Sequence, residues 1–149
     1  MSVCPAPANH GVVFVRTDIR LGNAVLPALW DRAEQSPLCT KIKNDAGVSV
    51  STIEHVMAAL AGCGVHNALI DIDGPEVPIL DGSAAVFVRG IVNVGVTRLA
   101  APLRAIEILK DVSVFEGAAF AQLSPATTLQ IDFAIDFADA AIGKQHKTL

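Results

Sequence analysis

The sequence has no tyrosine and only one tryptophan, and six phenylalanines are its only other aromatic residues. Aliphatic side chains must therefore provide most of any core. With 52% hydrophobic residues in a chain of 149, the sequence carries enough apolar mass for one compact domain, or for one domain and part of another.

Positive charge is also scarce. Eleven Lys and Arg residues stand against fifteen Asp and Glu residues, which gives a formal net charge of −4. Nucleic-acid-binding domains normally carry a basic patch, so the sequence argues against such a partner. No apolar run approaches the roughly 18 residues that cross a bilayer, and the N-terminus lacks the pattern of a signal peptide. We therefore predict no transmembrane segment and no secretion signal.

Cysteine is limited to Cys4, Cys39 and Cys63. Their number is odd, and none of them shares the C-x-x-C spacing of thiolate zinc sites. We expect no structural disulfide and no cysteine-based zinc site. Reduced thiols are typical of the cytoplasm, which is the predicted location.

Hydrophobic patterns and turn residues predict strands interspersed with two helices, followed by a fresh run of strands. The predicted strands cover residues 11–16, 38–43, 48–51 and 68–73, with a hairpin turn at 44–47, and the helices cover 52–62 and 84–93. Strand-like runs follow at 103–109, 112–123 (broken at 116–117) and 129–137. This order indicates an α+β fold, a two-layer sandwich of a mostly antiparallel sheet and two helices in residues 1–101. Residues 102–149 are predicted to begin a second, incomplete unit.

Glu54 and His55 stand side by side at the start of the first predicted helix, in the run S-T-I-E-H-V-M-A-A-L-A-G. Ser51 and Glu54 fit the capping box, in which the serine accepts a backbone N–H and the glutamate reaches back to the cap. Such a cap contributes roughly 1 kcal/mol to a helix. In this interpretation Glu54 has no chemical role.

Helical geometry supports a different interpretation. The stripe predicted to face the core recurs at i, i+3, i+4 and i+7: Ile53, Val56, Met57 and Leu60. His55 points almost opposite that stripe, among Ala58 and Ala59 rather than charged residues, which suggests that another layer or a substrate packs there. The positive end of the helix dipole favours neutral imidazole, the form that binds zinc, and a nearby carboxylate could act as a general base. The residues alone leave both interpretations open.

A wider context bears on this choice. The stretch 51–88, which continues as C-G-V-H-N-A-L-I-D-I-D-G-P-E-V-P-I-L-D-G-S-A-A-V-F-V, closely resembles the zinc-dependent UDP-3-O-acyl-N-acetylglucosamine deacetylase (LpxC) family of lipid A biosynthesis. Further matching segments lie in the family's order at residues 4–8, 13–18, 37–40 and 131–137.

The resemblance implies two similar α+β domains with the site in the cleft between them. It implies zinc-dependent removal of an N-acetyl group from a UDP-linked, acylated amino sugar. It assigns Glu54 as the base that activates the zinc-bound water and His55 as one zinc ligand. It places Leu38, Cys39 and Thr40 in a loop that lines the substrate site; for Cys39, a buried small thiol at a strand end is the alternative.

The resemblance also matches the loop before the second helix, which we interpret as structural: its prolines stiffen its path, and Asp81 or Ser83 caps the helix. His146 mimics the start of the family's H-K-x-x-D motif but comes too early in the chain. We interpret it as a loop residue, and His10 and His66 as incidental.

The match is truncated at both ends relative to the family pattern. The remaining two zinc ligands, a histidine and an aspartate, and a catalytic histidine belong to the part of that pattern that this chain does not include. A catalytic zinc site normally takes three protein ligands. We therefore expect this chain alone to be weakly active or inactive. The alternative hypothesis is a non-enzymatic α+β binding or interaction module descended from the first domain of such an enzyme, with Glu54 only a cap.

Overall fold

The computed structural model describes all 149 residues, which form two compact units, Met1–Leu103 and Arg104–Leu149. The division lies close to the predicted boundary at 101/102. Whether residues 102–149 begin a second domain similar to the first stays a prediction.

The first unit contains seven short strands and two helices. In chain order they are β1 (Ser2–Pro5), β2 (Val12–Arg16), β3 (Val25–Pro27), β4 (Ala33–Glu34), β5 (Lys41–Lys43), β6 (Ser49–Val50), α1 (Glu54–Gly62), β7 (Ala68–Ile72) and α2 (Ala85–Val94). A single 3-10 turn, Trp30–Arg32, precedes β4. Neither helix has the length and apolar character needed to cross a membrane.

These strands form two sheets rather than the single sheet expected. The larger has the order β1-β7-β2-β3, in which β2 and β7 are parallel and the other neighbours are antiparallel. The smaller, antiparallel throughout, has the order β4-β5-β6. The predicted α+β fold, with two helices and mostly antiparallel strands, is confirmed.

One hydrophobic cluster connects both sheets and both helices. Its members are almost entirely aliphatic: Phe14, Leu26, Ile42, Val50, Ile53, Val56, Ala59, Leu60, Ala68, Ile70, Ile72, Val77 and Phe87. The alternation predicted for β7 is confirmed, since Ala68, Ile70 and Ile72 are buried while Leu69 and Asp71 are only half-buried. The scarcity of aromatic residues therefore reflects a core packed from branched and small side chains.

Helix α1 begins two residues later than predicted and buries most of the expected stripe. Val56 and Leu60 are buried, and Met57 packs against the core from its edge. Ala59 was expected on the face of His55, but it lies in the core. Ala58 is exposed, so no other layer of this chain packs on it.

Helix α2 agrees with the prediction to within one residue at each end. The Ser83 hydroxyl accepts the Ala85 N–H at 3.2 Å, and Asp81 Oδ1 accepts the Ser83 hydroxyl at 2.9 Å. Ala84 occupies the cap position and has no side-chain cap bond, but Ser83 accepts the first helical N–H as predicted, with Asp81 bound to its hydroxyl. The helix ends where Gly95 adopts a φ of 87°, a value that glycine reaches at little steric cost.

Two polar residues hold the sheets of the first unit together. Arg16 is buried at the end of β2, where it donates two hydrogen bonds to the Asp18 carboxylate and one to the Ser49 carbonyl in β6. The bonds from Arg16 lower the pKa of Asp18. Asn44, at the start of the predicted hairpin turn, is also buried.

The second unit consists of two separate hairpins. Its strands are β8 (Val112–Glu116), β9 (Ala119–Leu123), β10 (Asp132–Asp136) and β11 (Lys144–Thr148), paired antiparallel as β8-β9 and β10-β11. The predicted break at Glu116 and Gly117 is confirmed, and Gly117 takes a φ of 59° in the turn. No residue of this unit is buried. Isolated two-stranded hairpins are marginally stable in water, so the stability of the described chain resides in the first unit.

Two expectations for this unit were wrong. Residues 103–109 form no strand, because no neighbouring segment pairs with their backbone groups. His146 is not a loop residue: it lies in β11 opposite Ala134, and its Nε2 is 3.0 Å from both carboxylate oxygens of Asp132.

Replacing Asn44 with alanine should destabilise the first unit. Its side chain makes four hydrogen bonds, accepting the N–H groups of Ala46 and Val48 and donating to the carbonyls of Asn23 and Val25. Because the Asn23 and Val25 carbonyls would lose a buried donor, we expect a loss of about 2–3 kcal/mol in the free energy of unfolding, measured by urea denaturation.

The matched control is Asp45→Ala, one residue along the same turn. The Asp45 side chain is 86% exposed and pairs only with Arg32. Exposed pairs contribute about 0–1 kcal/mol, so this variant should unfold close to the wild type. Equal losses in the two variants would contradict the role given to Asn44.

Candidate active site

Glu54 is the first residue of α1, and it does not form the predicted capping box. The residue before the helix is Ile53, and no side chain caps the helix start. Ser51 is engaged elsewhere: its N–H donates to the Pro75 carbonyl at 2.9 Å, and its carbonyl accepts the Val77 N–H at 3.0 Å. The capping interpretation of Glu54 is therefore wrong, because the backbone of Ser51 is held by a distant loop instead of by the helix.

The carboxylate of Glu54 instead reaches the loop before β5. Its Oε2 accepts the Thr40 N–H at 2.9 Å, and the Ile53 N–H donates to the Thr40 carbonyl at 3.3 Å. Thr40 is thus bonded through both of its backbone polar groups to the start of α1. One oxygen of the Glu54 carboxylate is occupied by this contact, and Oε1 makes no hydrogen bond to the protein.

His55 lies beside Glu54 at the margin of the core. Its side chain is 24% exposed and that of Glu54 is 33% exposed, so neither is in the hydrophobic cluster and neither projects freely into water. His55 Nε2 is 4.0 Å from Glu54 Oε1, too long for a direct hydrogen bond. The free carboxylate oxygen and the imidazole nitrogen are therefore close neighbours that do not bond directly to each other.

The three residues of the loop predicted to line the substrate site do not all approach Glu54. Only Thr40 contacts Glu54. Leu38 adopts a φ of 64° and its side chain is 96% exposed. Cys39 is half-buried outside any strand, with its Sγ 3.4 Å from the Ser36 hydroxyl. The substrate-binding roles of Leu38, Cys39 and Thr40 stay predictions.

An open apolar groove of about 280 Å³ lies against Glu54, between α1 and the segment before β4. Thr40 and Glu54 form its polar part, and its apolar lining includes Ala28, Leu29, Trp30, Ile42, Ile53 and Met57. Trp30, the one tryptophan, is 86% exposed at this place. No sequence pattern indicated the groove, because its walls come from segments far apart in the chain.

The sequence also offered no indication of a contact between Thr52 and Glu76. Thr52 is buried, adopts a φ of 59°, and donates its hydroxyl to Glu76 Oε1 at 2.7 Å. A β-branched residue in the left-handed region is a genuine outlier, with a cost of the order of 1–3 kcal/mol. Neither sequence spacing nor propensity signals such a turn. The loop containing Glu76 was predicted to be structural, and its contacts with Ser51 and Thr52 agree with that role.

The described chain offers no complete metal site. No group of three or more His, Cys, Asp and Glu side chains converges on one point. His55 can supply one imidazole nitrogen, and Glu54 is near enough to act on a water beside it. A catalytic zinc site normally takes three protein ligands, so these two side chains could form only part of one.

Comparison with known proteins shows which family the chain matches. The profile of the family described as "LpxC: UDP-3-O-acyl N-acetylglycosamine deacetylase" matches residues 1–149. The UDP-3-O-acyl-N-acetylglucosamine deacetylases of Shewanella baltica (strain OS155) and Shewanella sp. (strain ANA-3) are each 42% identical over 147 residues. The matched region is 99% of this chain and 48% of either relative, so the chain spans about half their length. The chain belongs to the LpxC family.

Proposed function

We propose that this chain forms part of a zinc-dependent amide hydrolase that removes the N-acetyl group from UDP-3-O-acyl-N-acetylglucosamine in lipid A biosynthesis. Glu54 is the proposed general base, and His55 is one proposed zinc ligand. The substrate is the one named for the relatives, a UDP-linked acylated amino sugar. The three free cysteines support a cytoplasmic location.

The observation that carries the proposal is that one oxygen of the Glu54 carboxylate is hydrogen-bonded to the protein while the other is free. Oε2 is held by the Thr40 N–H at 2.9 Å, while Oε1 is free and 4.0 Å from His55 Nε2. A general base must be held in position and must keep one oxygen available for a proton. A capping glutamate would have its carboxylate turned back onto its own helix.

The donor set is suitable for zinc, which takes imidazole nitrogen and carboxylate oxygen and lowers the pKa of a coordinated water when bound. His55 would hold it through a ring nitrogen, and the other protein ligands would come from residues outside this chain. Glu54 Oε1 would take the proton as the water oxygen bonds to the acetamide carbon. The carbon–nitrogen bond would then break, the acetyl group would leave as acetate, and the amine nitrogen would receive the proton that Glu54 had accepted.

In the alternative, a non-enzymatic binding or interaction module descended from the first domain of such an enzyme, Glu54 would serve only as a helix cap. Glu54 makes no such cap. No contact of the first unit favours that alternative over the hydrolase.

Glu54→Gln in the full-length protein should abolish most turnover without disturbing the fold. The glutamine amide oxygen can still accept the Thr40 N–H, but it cannot take a proton at neutral pH. We expect kcat to fall by a factor of about 100 to 10,000, with zinc content and thermal stability close to the wild type. Deacetylation kinetics, metal analysis and a thermal melt measure these three quantities.

The control is Asp73→Asn, which changes an exposed carboxylate beyond the end of β7. It should leave kcat unchanged. If Glu54→Gln retains wild-type kcat, Glu54 is not the base.

His55→Ala in the full-length protein should weaken zinc binding. Removing one of three protein ligands should lower the affinity at least roughly tenfold, since changes outside the ligand set already cost 10–100-fold. Equilibrium competition with a chromophoric chelator measures this affinity without reference to turnover. His66→Ala, in the exposed segment between α1 and β7, is the matched control and should bind zinc like the wild type. Equal affinities in all three proteins would exclude His55 as a ligand.

The 149-residue chain by itself should have little deacetylase activity even with added zinc. It offers one imidazole and one carboxylate at the site and no cluster of three metal-binding side chains. We expect turnover far below that of the full-length protein in the same assay. Near-normal turnover by this chain would show that the remaining ligands are not needed.

A further inference from the structure

Thr52 holds a strained backbone conformation directly before the candidate site. It lies two residues before Glu54, is only 6% exposed, and has a φ of 59°. L-residues rarely adopt this region, and a β-branched residue does so only when its surroundings force it. Strained residues of this kind are concentrated at functional sites. The contacts that hold Thr52 in this conformation therefore indicate which part of the site depends on the turn.

The enforcing contacts all come from residues 75–77. Glu76 Oε1 accepts the Thr52 hydroxyl at 2.7 Å, and Glu76 forms an isolated parallel bridge with Ser51. The Ser51 N–H donates to the Pro75 carbonyl, and the Ser51 carbonyl accepts the Val77 N–H. Val77 is 1% exposed and anchors this segment in the hydrophobic cluster. Residues 75–77 thus hold Ser51 through its backbone and Thr52 through its side chain.

The turn at Thr52 determines where α1 begins. The next residue, Ile53, is buried and donates its N–H to the Thr40 carbonyl at 3.3 Å. Glu54 follows and accepts the Thr40 N–H at 2.9 Å. If Thr52 relaxed to a right-handed or extended conformation, the direction of the chain entering α1 would change, and both contacts with Thr40 would be lost.

We propose that Glu76 is a positioning residue: through the Thr52 hydroxyl it maintains the left-handed turn that places the Glu54 carboxylate on the Thr40 amide, with His55 beside it. The consequence for catalysis rests on the proposed function. The geometric part does not, because it concerns only contacts within this chain.

The Thr40 amide is a direct reporter of the Glu54 position. In the ¹⁵N-labelled 149-residue chain, Glu54→Ala defines the chemical shift and hydrogen-exchange rate of the Thr40 N–H without its acceptor. Glu76→Ala and Thr52→Val should move both quantities toward those values, with exchange at least tenfold faster than in the wild type. Thr52→Val keeps the branched shape and replaces the hydroxyl with a methyl group, so it provides the test if Glu76→Ala does not fold.

Conservative variants and a matched control separate positioning from general stability. Glu76→Gln and Thr52→Ser keep an acceptor and a hydroxyl, and should keep the wild-type Thr40 signal. Ser83→Ala removes a similar hydroxyl–carboxylate bond, 2.9 Å to Asp81, at the start of α2. It should lower stability without moving the Thr40 signal. The proposal is overturned if the Thr40 amide is unchanged in both Glu76→Ala and Thr52→Val.

Kinetics of the full-length protein test the catalytic consequence. Glu76→Ala should lower kcat by about 10- to 100-fold with little change in KM, because a misplaced base slows the chemical step. Glu76→Gln should restore kcat. If the Thr40 signal moves and kcat does not, Glu76 has no role in the reaction. If the wild-type full-length protein has no deacetylase activity, the proposed function fails, and the Thr40 measurement still decides the geometric part.

Discussion

Two hydrogen bonds at Thr40 connect the loop before β5 to the first turn of α1, and the geometry of the candidate site depends on them. The Thr40 carbonyl accepts the Ile53 N–H, and the Thr40 N–H donates to Glu54 Oε2. Both partners on Thr40 are backbone groups, so most side chains at position 40 would allow the same contacts. At position 54, in contrast, the side chain must be long enough to reach and must carry an acceptor. The loop thus constrains where the Glu54 carboxylate lies, whichever side chain occupies position 40.

The start of α1 is also unusual in how it is held. A capping box would satisfy the first helical N–H groups locally and would use the glutamate for that purpose. Here the segment before α1 is bound by the distant loop 75–77 and turned at Thr52. The helix thereby forgoes a stabilising cap, and the Glu54 carboxylate remains available. Loss of a local stabilising interaction at a place where chemistry is proposed is a common compromise between stability and function.

The two units differ in where their aromatic side chains lie. Only Phe14 and Phe87 lie in the core of the first unit, which is otherwise aliphatic or alanine. The other four phenylalanines, in residues 104–149, are all exposed, and so is Trp30 beside the groove. The composition correctly indicated a core of aliphatic side chains. It could not indicate where the few aromatic side chains would be placed.

The sequence alone was sufficient wherever a structure depends on neighbouring residues. Alternation predicted β7, glycine predicted the ends of both helices, and Glu116-Gly117 predicted the turn between β8 and β9, since each of these follows from local backbone and side-chain preferences. Glu54 and His55 could also be singled out from the sequence, because they lie in a continuous segment, residues 51–88, that resembles the family. Only the tertiary structure decided that Glu54 contacts Thr40 instead of capping its helix, that residues 103–109 form no strand, and that Thr52 turns left-handed against Glu76. Each of these depends on whether a segment distant in sequence supplies a hydrogen-bonding partner, and that information is absent from any local pattern.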